Sequence, residues 1–307
     1  MLRGAIFIGA RLLAPFLAQP VCADLFPQPV TLGGSLIYAQ PVIALETNSE
    51  GGRVEFAART HARPGLEATY GRFNLSVSAI SAGSDGNWLT PKIPAPDWND
   101  VRTRYHGDLW GAEAFHQNVR GFDRQSEASH HTAPESRSAM SLQSSGATVY
   151  RSIDPDSRVY RLSEGLDQTG ANFDVFWTLG MSHLKLRDDT PLLEGLYAPD
   201  SKFENVYAVD VTSLALGAGY AISSNMDGLY FDQALFGGYG PQIRTWGGHS
   251  EAAWKLVRVN LRARLGVRNR WFDAGVGFEN EAHAALAGSE RLVLNALSAQ
   301  VKVDVFL

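Results

Sequence analysis

The sequence predicts an all-β protein: an antiparallel, outer-membrane-type transmembrane β-barrel of roughly 12 strands, within a range of about 10 to 14. Three observations point there. Between Trp254 and Glu281 two runs alternate, each with one oily face and one polar or charged face. Beyond the N-terminus no stretch approaches the roughly 18 apolar residues of a membrane helix, although 45% of the chain is hydrophobic. Strand-length runs bounded by turn residues recur as far as Leu307.

The Trp254–Glu281 hairpin carries the most information. Val257, Val259, Leu261, Ala263, Leu265 and Val267 alternate with Arg258, Asn260, Arg262 and Arg264. Phe272, Ala274, Val276 and Phe278 alternate with Asp273, Gly275, Gly277, Glu279 and Glu281. Period-two alternation puts each set on one face of its strand. A soluble sheet turns its polar face to water; a membrane barrel turns apolar residues to lipid and charges into a wet lumen. A two-residue turn at Arg268-Asn269 would set Leu265 against Phe272, Leu261 against Val276, Arg264 against Asp273 and Arg258 against Glu279. That register satisfies both faces, and a one-residue slip would ruin both.

From the N-terminus, residues 1–23 read as an export signal. Arg3 and Arg11 supply charge, Leu12–Ala18 a short apolar core, and Val21-Cys22-Ala23 a cleavage site. Residues 24–307 then form one barrel domain. Cys22 is the single cysteine, so the exported chain has neither disulfides nor thiol chemistry. Expected strands are Ser35–Glu46, Arg53–Thr60, Gly65–Tyr70 and Phe73–Ile80, the last two joined at Gly71-Arg72. Gly83–Arg102, with three prolines, reads as a long loop, Tyr105–Gln117 as a strand, and the polar Gly121–Ser145 as a mobile surface loop. Ala147–Ile153 and Arg158–Leu162 form an expected hairpin. Asn172–Leu186, the run Leu214–Ile222, Gly228–Gly237 and Arg291–Leu307 complete the set. Short turns near Met226 and Asn269, with long links at Gly238–Ala253 and Asp188–Tyr207, match the short-turn, long-loop asymmetry of outer-membrane barrels.

Arg63-Pro64-Gly65-Leu66-Glu67-Ala68-Thr69-Tyr70, the Phe73–Ile80 strand, Ala114-Phe115-His116-Gln117 and Arg120-Gly121-Phe122 carry a family likeness. On them the chain resembles the bacterial domain-of-unknown-function family 4421, with weaker likeness through Ser213–Tyr220. The resemblance implies an exported β-barrel and offers no activity or catalytic residue.

The chemistry follows from the lumen. A net charge of −5 without a basic stripe excludes nucleic acid as a partner. Gly247-Gly248-His249-Ser250 is no triad fragment, because neighbouring strand residues point to opposite faces. His130-His131 reads as solvated loop, and His106, Asp108 and His116 are spaced too widely for a compact metal site. No catalytic residue, metal ligand or cofactor is therefore expected. The binding candidates are Arg258, Arg262, Arg264, Asp273, Glu279 and Glu281, which either orient a solute or neutralise one another in a filled interior. The expected function is a narrow channel or transporter for small polar or lipidic ligands in the cell outer membrane. A lipid-modifying enzyme of the esterase or phospholipase kind and an adhesive barrel acting through its loops are the alternatives. Expected partners are outer-membrane lipid, the barrel-assembly machinery through the C-terminal strand, and such a ligand.

Overall fold

In the computed structural model the sheet closes on itself. The structure describes residues 30–46, 53–59, 62–80, 98–107, 109–125, 135–154, 170–192, 205–287 and 290–306. Thirteen strands lie within them: β1 (Val30–Glu46), β2 (Arg53–Ala58), β3 (Ala62–Tyr70), β4 (Phe73–Ile80), β5 (Trp98–His106), β6 (Trp110–Gln125) and β7 (Glu135–Ser152), then β8 (Gly170–Arg187), β9 (Ala208–Met226), β10 (Leu229–Trp246), β11 (His249–Arg268), β12 (Phe272–Ala287) and β13 (Glu290–Phe306). From β6 to β13 each strand pairs antiparallel with its chain neighbours, and β13 returns to pair along β1. The expected outer-membrane-type barrel is the fold.

The wall is uneven beside β1. The first half of β1 pairs with β3 and its second half with β2, so β2 and β3 make one broken stave. β3 continues through the β4–β5 hairpin to β6 at Gly111–Val119, whereas β2 pairs with β6 directly at Phe122–Gln125. The end holding Val30 and Phe306, here the terminal end, therefore has twelve staves, and the far end has ten.

Side-chain polarity fixes how this barrel meets its surroundings. On the terminal half, outward residues are apolar and exposed: Leu216 is 65% exposed and Val301 54%. This belt runs along Val30–Tyr38 of β1, Phe173–Met181 of β8, Leu214–Ile222 of β9 and Leu297–Val305 of β13. Each run has about nine residues, the length a tilted strand needs to cross a bilayer. Inward residues there are polar, as with Ser298, Gln300, Lys302 and Asp304 on β13.

Further along the same strands the two faces exchange character. β13 now points Leu292 and Leu294 inward and Arg291 and Asn295 outward; β8 points Leu184 and Leu186 inward and Lys185 and Arg187 outward. β1 turns in Ile43 and Leu45, and β9 turns in Val209 and Val211. With Phe56, Val119, Phe122, Met140, Leu142 and Trp246 these residues fill the far end with a dry core. Arg137 reaches over that core, pairing with Asp188 at 3.2 Å and hydrogen-bonding Thr190.

Several expectations are corrected. Trp98–His106 is a strand, and a turn separates it from Trp110–Gln125. Much of the supposed Gly121–Ser145 loop is strand, because above the belt a polar outward face is normal wall. The Gly238–Ala253 link is two strands joined tightly at Gly247-Gly248, whose φ values are 50° and 83°. The turn after Arg268 is longer than expected: Arg268 faces Asp273, since Asn269 Oδ1 accepts the backbone N–H groups of Trp271 and Phe272. The register keeps its faces but moves, so Leu265 meets Val276 and Arg262 meets Glu279. The Gly71-Arg72 turn stands as expected, and Asp227-Gly228 closes the other tight turn with both φ values positive. Residues 1–23, His130-His131 and Arg158–Leu162 lie outside the described residues.

Val301→Arg places a charge in the middle of the belt, and Asn295→Arg places one beyond its edge. In phospholipid vesicles the first is expected to lower the unfolding free energy by about 2–4 kcal/mol and the second by about 0–1 kcal/mol. Urea titration followed by tryptophan fluorescence measures both. Equal, small effects would mean that this face does not meet lipid.

Candidate functional site

Below the dry core the lumen is crossed by ion pairs. Arg262 on β11 donates to both oxygens of Glu113 on β6, Nη1 to Oε2 at 2.7 Å and Nη2 to Oε1 at 2.9 Å. Its Nε donates to Glu279 Oε1 on β12 at 3.0 Å. From β5, Arg102 Nη1 donates to the other oxygen of Glu279 at 3.0 Å, and its Nε and Nη2 donate to Asp100. Arg104 Nε lies 3.6 Å from Glu113. Glu113 thus sits among three guanidinium groups, Arg102 being 3.9 Å away. Neither β6 and β11 nor β5 and β12 are neighbours in the sheet, so these contacts are struts between separate walls. Bidentate arginine–carboxylate geometry makes them directional as well as attractive.

Two further layers flank this belt. Toward the far end, Arg258 pairs with Glu281 at 2.7 Å, donates to Thr148 at 2.8 Å and lies near the rings of Phe115 and Phe236. Arg63 donates to Ser78, pairs with Asp100 at 3.4 Å and stacks 3.9 Å over the Trp98 ring. Toward the terminal end, Asp273 is fully buried and accepts from Arg264, Arg268 and Tyr230 at 2.7–3.0 Å. The Tyr230 phenol reaches it by crossing Gly266 and Gly275, where a Cβ on either would collide with the hydroxyl. Lys302 pairs with Glu67 at 2.6 Å and Asp304 at 2.8 Å.

Between the belt and the terminal-end layer lies a cavity of about 160 Å³. Arg104, Arg264, Lys302, Ser76, Ser298 and Gln300 line one part of it, and Tyr150, Phe176 and Phe236 another. The aromatic rings lie 6.2–6.3 Å apart, centroid to centroid, from Tyr150 through Phe176 to Phe236. A chamber with charged, hydroxyl and aromatic walls suits a small solute with both polar and apolar parts.

All six residues singled out in the sequence face the lumen. Arg264 does contact Asp273, but Arg258 pairs with Glu281 rather than Glu279, which takes Arg262 instead. The shifted turn accounts for both exchanges. Sequence reasoning missed Glu113, Arg102 and Asp100, the opposing half of the belt. Their signal was present: Asp100, Arg102, Arg104 and His106 share one strand parity, as do Glu113, Phe115 and Gln117. The prolines upstream hid Asp100 and Arg102 inside a presumed loop. His106 and His116 point to opposite sides of the wall, one buried and one exposed, and Asp108 lies outside the described residues. His249 and Ser250 open β11 as consecutive, exposed strand residues.

No family model matches the chain, and no curated protein matches it. Solved structures similar to it include the outer membrane protease OmpT from Escherichia coli, with 5% identity, a TM-score of 0.43, and 94% of this chain and 100% of that chain covered. The translocator domain of the autotransporter NalP from Neisseria meningitidis gives 13% identity and a TM-score of 0.36, covering 99% of this chain and 95% of that one. The toluene transporter TodX from Pseudomonas putida gives 8% and 0.27, covering 95% and 93%.

Glu113→Gln keeps the shape of the belt and removes its central charge. Breaking a buried pair by deleting one partner costs about 3–5 kcal/mol, and a loss of that order is expected in urea unfolding. Adding Arg262→Gln is expected to recover part of it, giving a coupling energy above about 1 kcal/mol in a double-mutant cycle. Additive losses would mean that the two walls are not joined through this pair.

Proposed function

We propose that the protein resides in the outer membrane and handles a small polar or amphipathic solute in a lumen closed toward the far end. It acts as a narrow transporter in its shut state rather than as a standing pore. The observation that carries this reading is the lumenal chamber itself, bounded by the Glu113–Arg262–Glu279–Arg102 belt, with the dry core beyond. Two features support it. A twelve-strand end leaves room that side chains do not fill, and a ten-strand end approaches the width that they can fill. The far-end core is also largely apolar, with few polar groups such as Gln242 and Arg244 buried beside it, and a solute stripped of water there without partners would be costly to bury. Passage would therefore require the belt and the core to move. The lipid of that membrane, and assembly machinery engaging β13, are its proposed partners.

Cysteine accessibility tests the reading directly, because Cys22 is the single cysteine and Cys22→Ser leaves a clean background. In vesicles, a small water-soluble thiol reagent is expected to modify Ser298→Cys in the chamber at least 100-fold faster than Leu294→Cys in the core. Similar rates at both positions would show a continuous pore and overturn the closed reading. Planar bilayers are expected to show no steady conductance from inserted wild-type protein. Heat-modifiable gel mobility in the outer-membrane fraction checks the location, and wholly soluble behaviour would refute it.

A further inference from the structure

The outer wall carries a second kind of surface just past the lipid belt. Across β6, β7 and β8 the register aligns three outward rows: His116 with Ser145 and His183, Asn118 with Gln143 and Lys185, and Arg120 with Ser141 and Arg187. These nine residues form a grid of cations and neutral hydrogen-bonding groups without one carboxylate or aliphatic side chain. The next outward rows toward the terminal end are Ala114, Ala147 and Met181, then Ala112, Val149 and Leu179. Polarity thus switches completely between two adjacent rows on three strands at once.

The same rows elsewhere do not repeat the charge. On β9 the switch falls between Leu214 and Thr212, followed by Asp210 opposite Lys185. On β10 the outward face stays largely apolar through Tyr239, Pro241 and Ile243. On β13 it passes Asn295 and Val293 before reaching Arg291. Arg120 and Arg187 are exposed and flank the small Ser141, with their strands about 10 Å apart at two strand spacings. Two flexible guanidinium groups on either side of a serine can close on one tetrahedral anion, and arginine matches phosphate oxygens in pairs. Gln143, Asn118 and Lys185 add donors in the row beneath.

We propose that this grid binds the phosphate headgroup of an anionic membrane lipid whose acyl chains lie on the alanine, valine, leucine and methionine rows below. Charge complementarity selects the headgroup, and continuity with the lipid belt selects a lipid over a free anion. The assignment depends on the wall being embedded in a bilayer and is independent of anything held in the lumen. Each cation near a charged membrane surface contributes roughly fivefold in affinity, so the three strongest together represent about two orders of magnitude.

The test uses full-length protein folded in maltoside micelles, with lipid retention read by native mass spectrometry. Phosphatidylglycerol is expected to be retained at least tenfold more than phosphatidylcholine. The triple variant Arg120→Gln/Lys185→Gln/Arg187→Gln should lose that preference, whereas Arg151→Gln, an outward cation at another level of β7, should keep it. Heat-modifiable mobility confirms that the triple variant is folded; should it misfold, Arg120→Gln and Arg187→Gln are measured singly and each should weaken retention about fivefold. Equal retention of the two lipids by wild-type protein would overturn the proposal, as would an unchanged preference in the folded variants. Displacement by millimolar inorganic phosphate, with no dependence on acyl chains, would also overturn it and mark a phosphate site. Failure to retain either lipid would instead count against the bilayer-embedded wall.

Discussion

Everything in this structure depends on the ladder between β1 and β13. It runs from Thr31 opposite Phe306 to Glu46 opposite Arg291 without interruption. A sheet crossing a bilayer has no water to satisfy its edge groups, so only closure makes it viable. Once closed, the wall fixes which side of each strand meets lipid, because a strand allows only two faces. The apolar belt and the charged lumen are then two consequences of one choice of register.

That choice explains the chemistry inside. Lumenal charges taken from water need partners, and adjacent strands cannot supply them all. Arg262 faces Glu279 across the ladder yet also spans to Glu113 on another wall. Arg102 likewise uses Asp100 on its own strand and Glu279 across the lumen. The belt is therefore a set of struts that hold separate walls at a fixed distance. Its residues are shared among several partners, so each contributes more to geometry than a count of pairs suggests.

The sequence made the terminal half of the barrel legible and the far half obscure, for a physical reason. Where the outer face meets lipid, alternation between Val303, Val305 and Lys302, Asp304 states both the strand and its orientation. Beyond the belt the outer face meets water, so a pattern such as Ser141, Gln143 and Ser145 around Leu142 and Ser144 resembles loop composition. The inversion can be seen in β8 alone: Asp174 and Thr178 share parity with Leu184 and Leu186, so the apolar face changes sides within one strand. A reader assuming one environment per strand must end the strand there. The turn at Asn269 was misjudged on a smaller scale. Its amide side chain takes over the role of a backbone carbonyl and lengthens the loop, which spacing alone does not reveal. The six lumenal candidates on β11 and β12 were recognisable because their hairpin lies within the belt, while Asp100 and Arg102 sat in a stretch that the prolines made look like loop, and Glu113 sat in an expected strand whose partner across the lumen was therefore missing.

The β4–β5 hairpin links the barrel's width to its chemistry. Inserted between β3 and β6 only at the terminal end, it raises the stave number from ten to twelve, and barrel diameter grows with stave number. It also delivers Asp100, Arg102, Arg104 and His106 to the inner face. Without it, β2 and β6 show how the walls would meet: directly, at the narrower circumference that the dry core fills. The space for the chamber and one half of the belt that bounds it thus arrive on the same element. Opening the lumen toward the far end would require more than separating Arg262 from Glu113, since the ten-stave section would remain closed by its own side chains. The belt sets the ceiling of the chamber, and the narrowing of the wall decides that the chamber ends there.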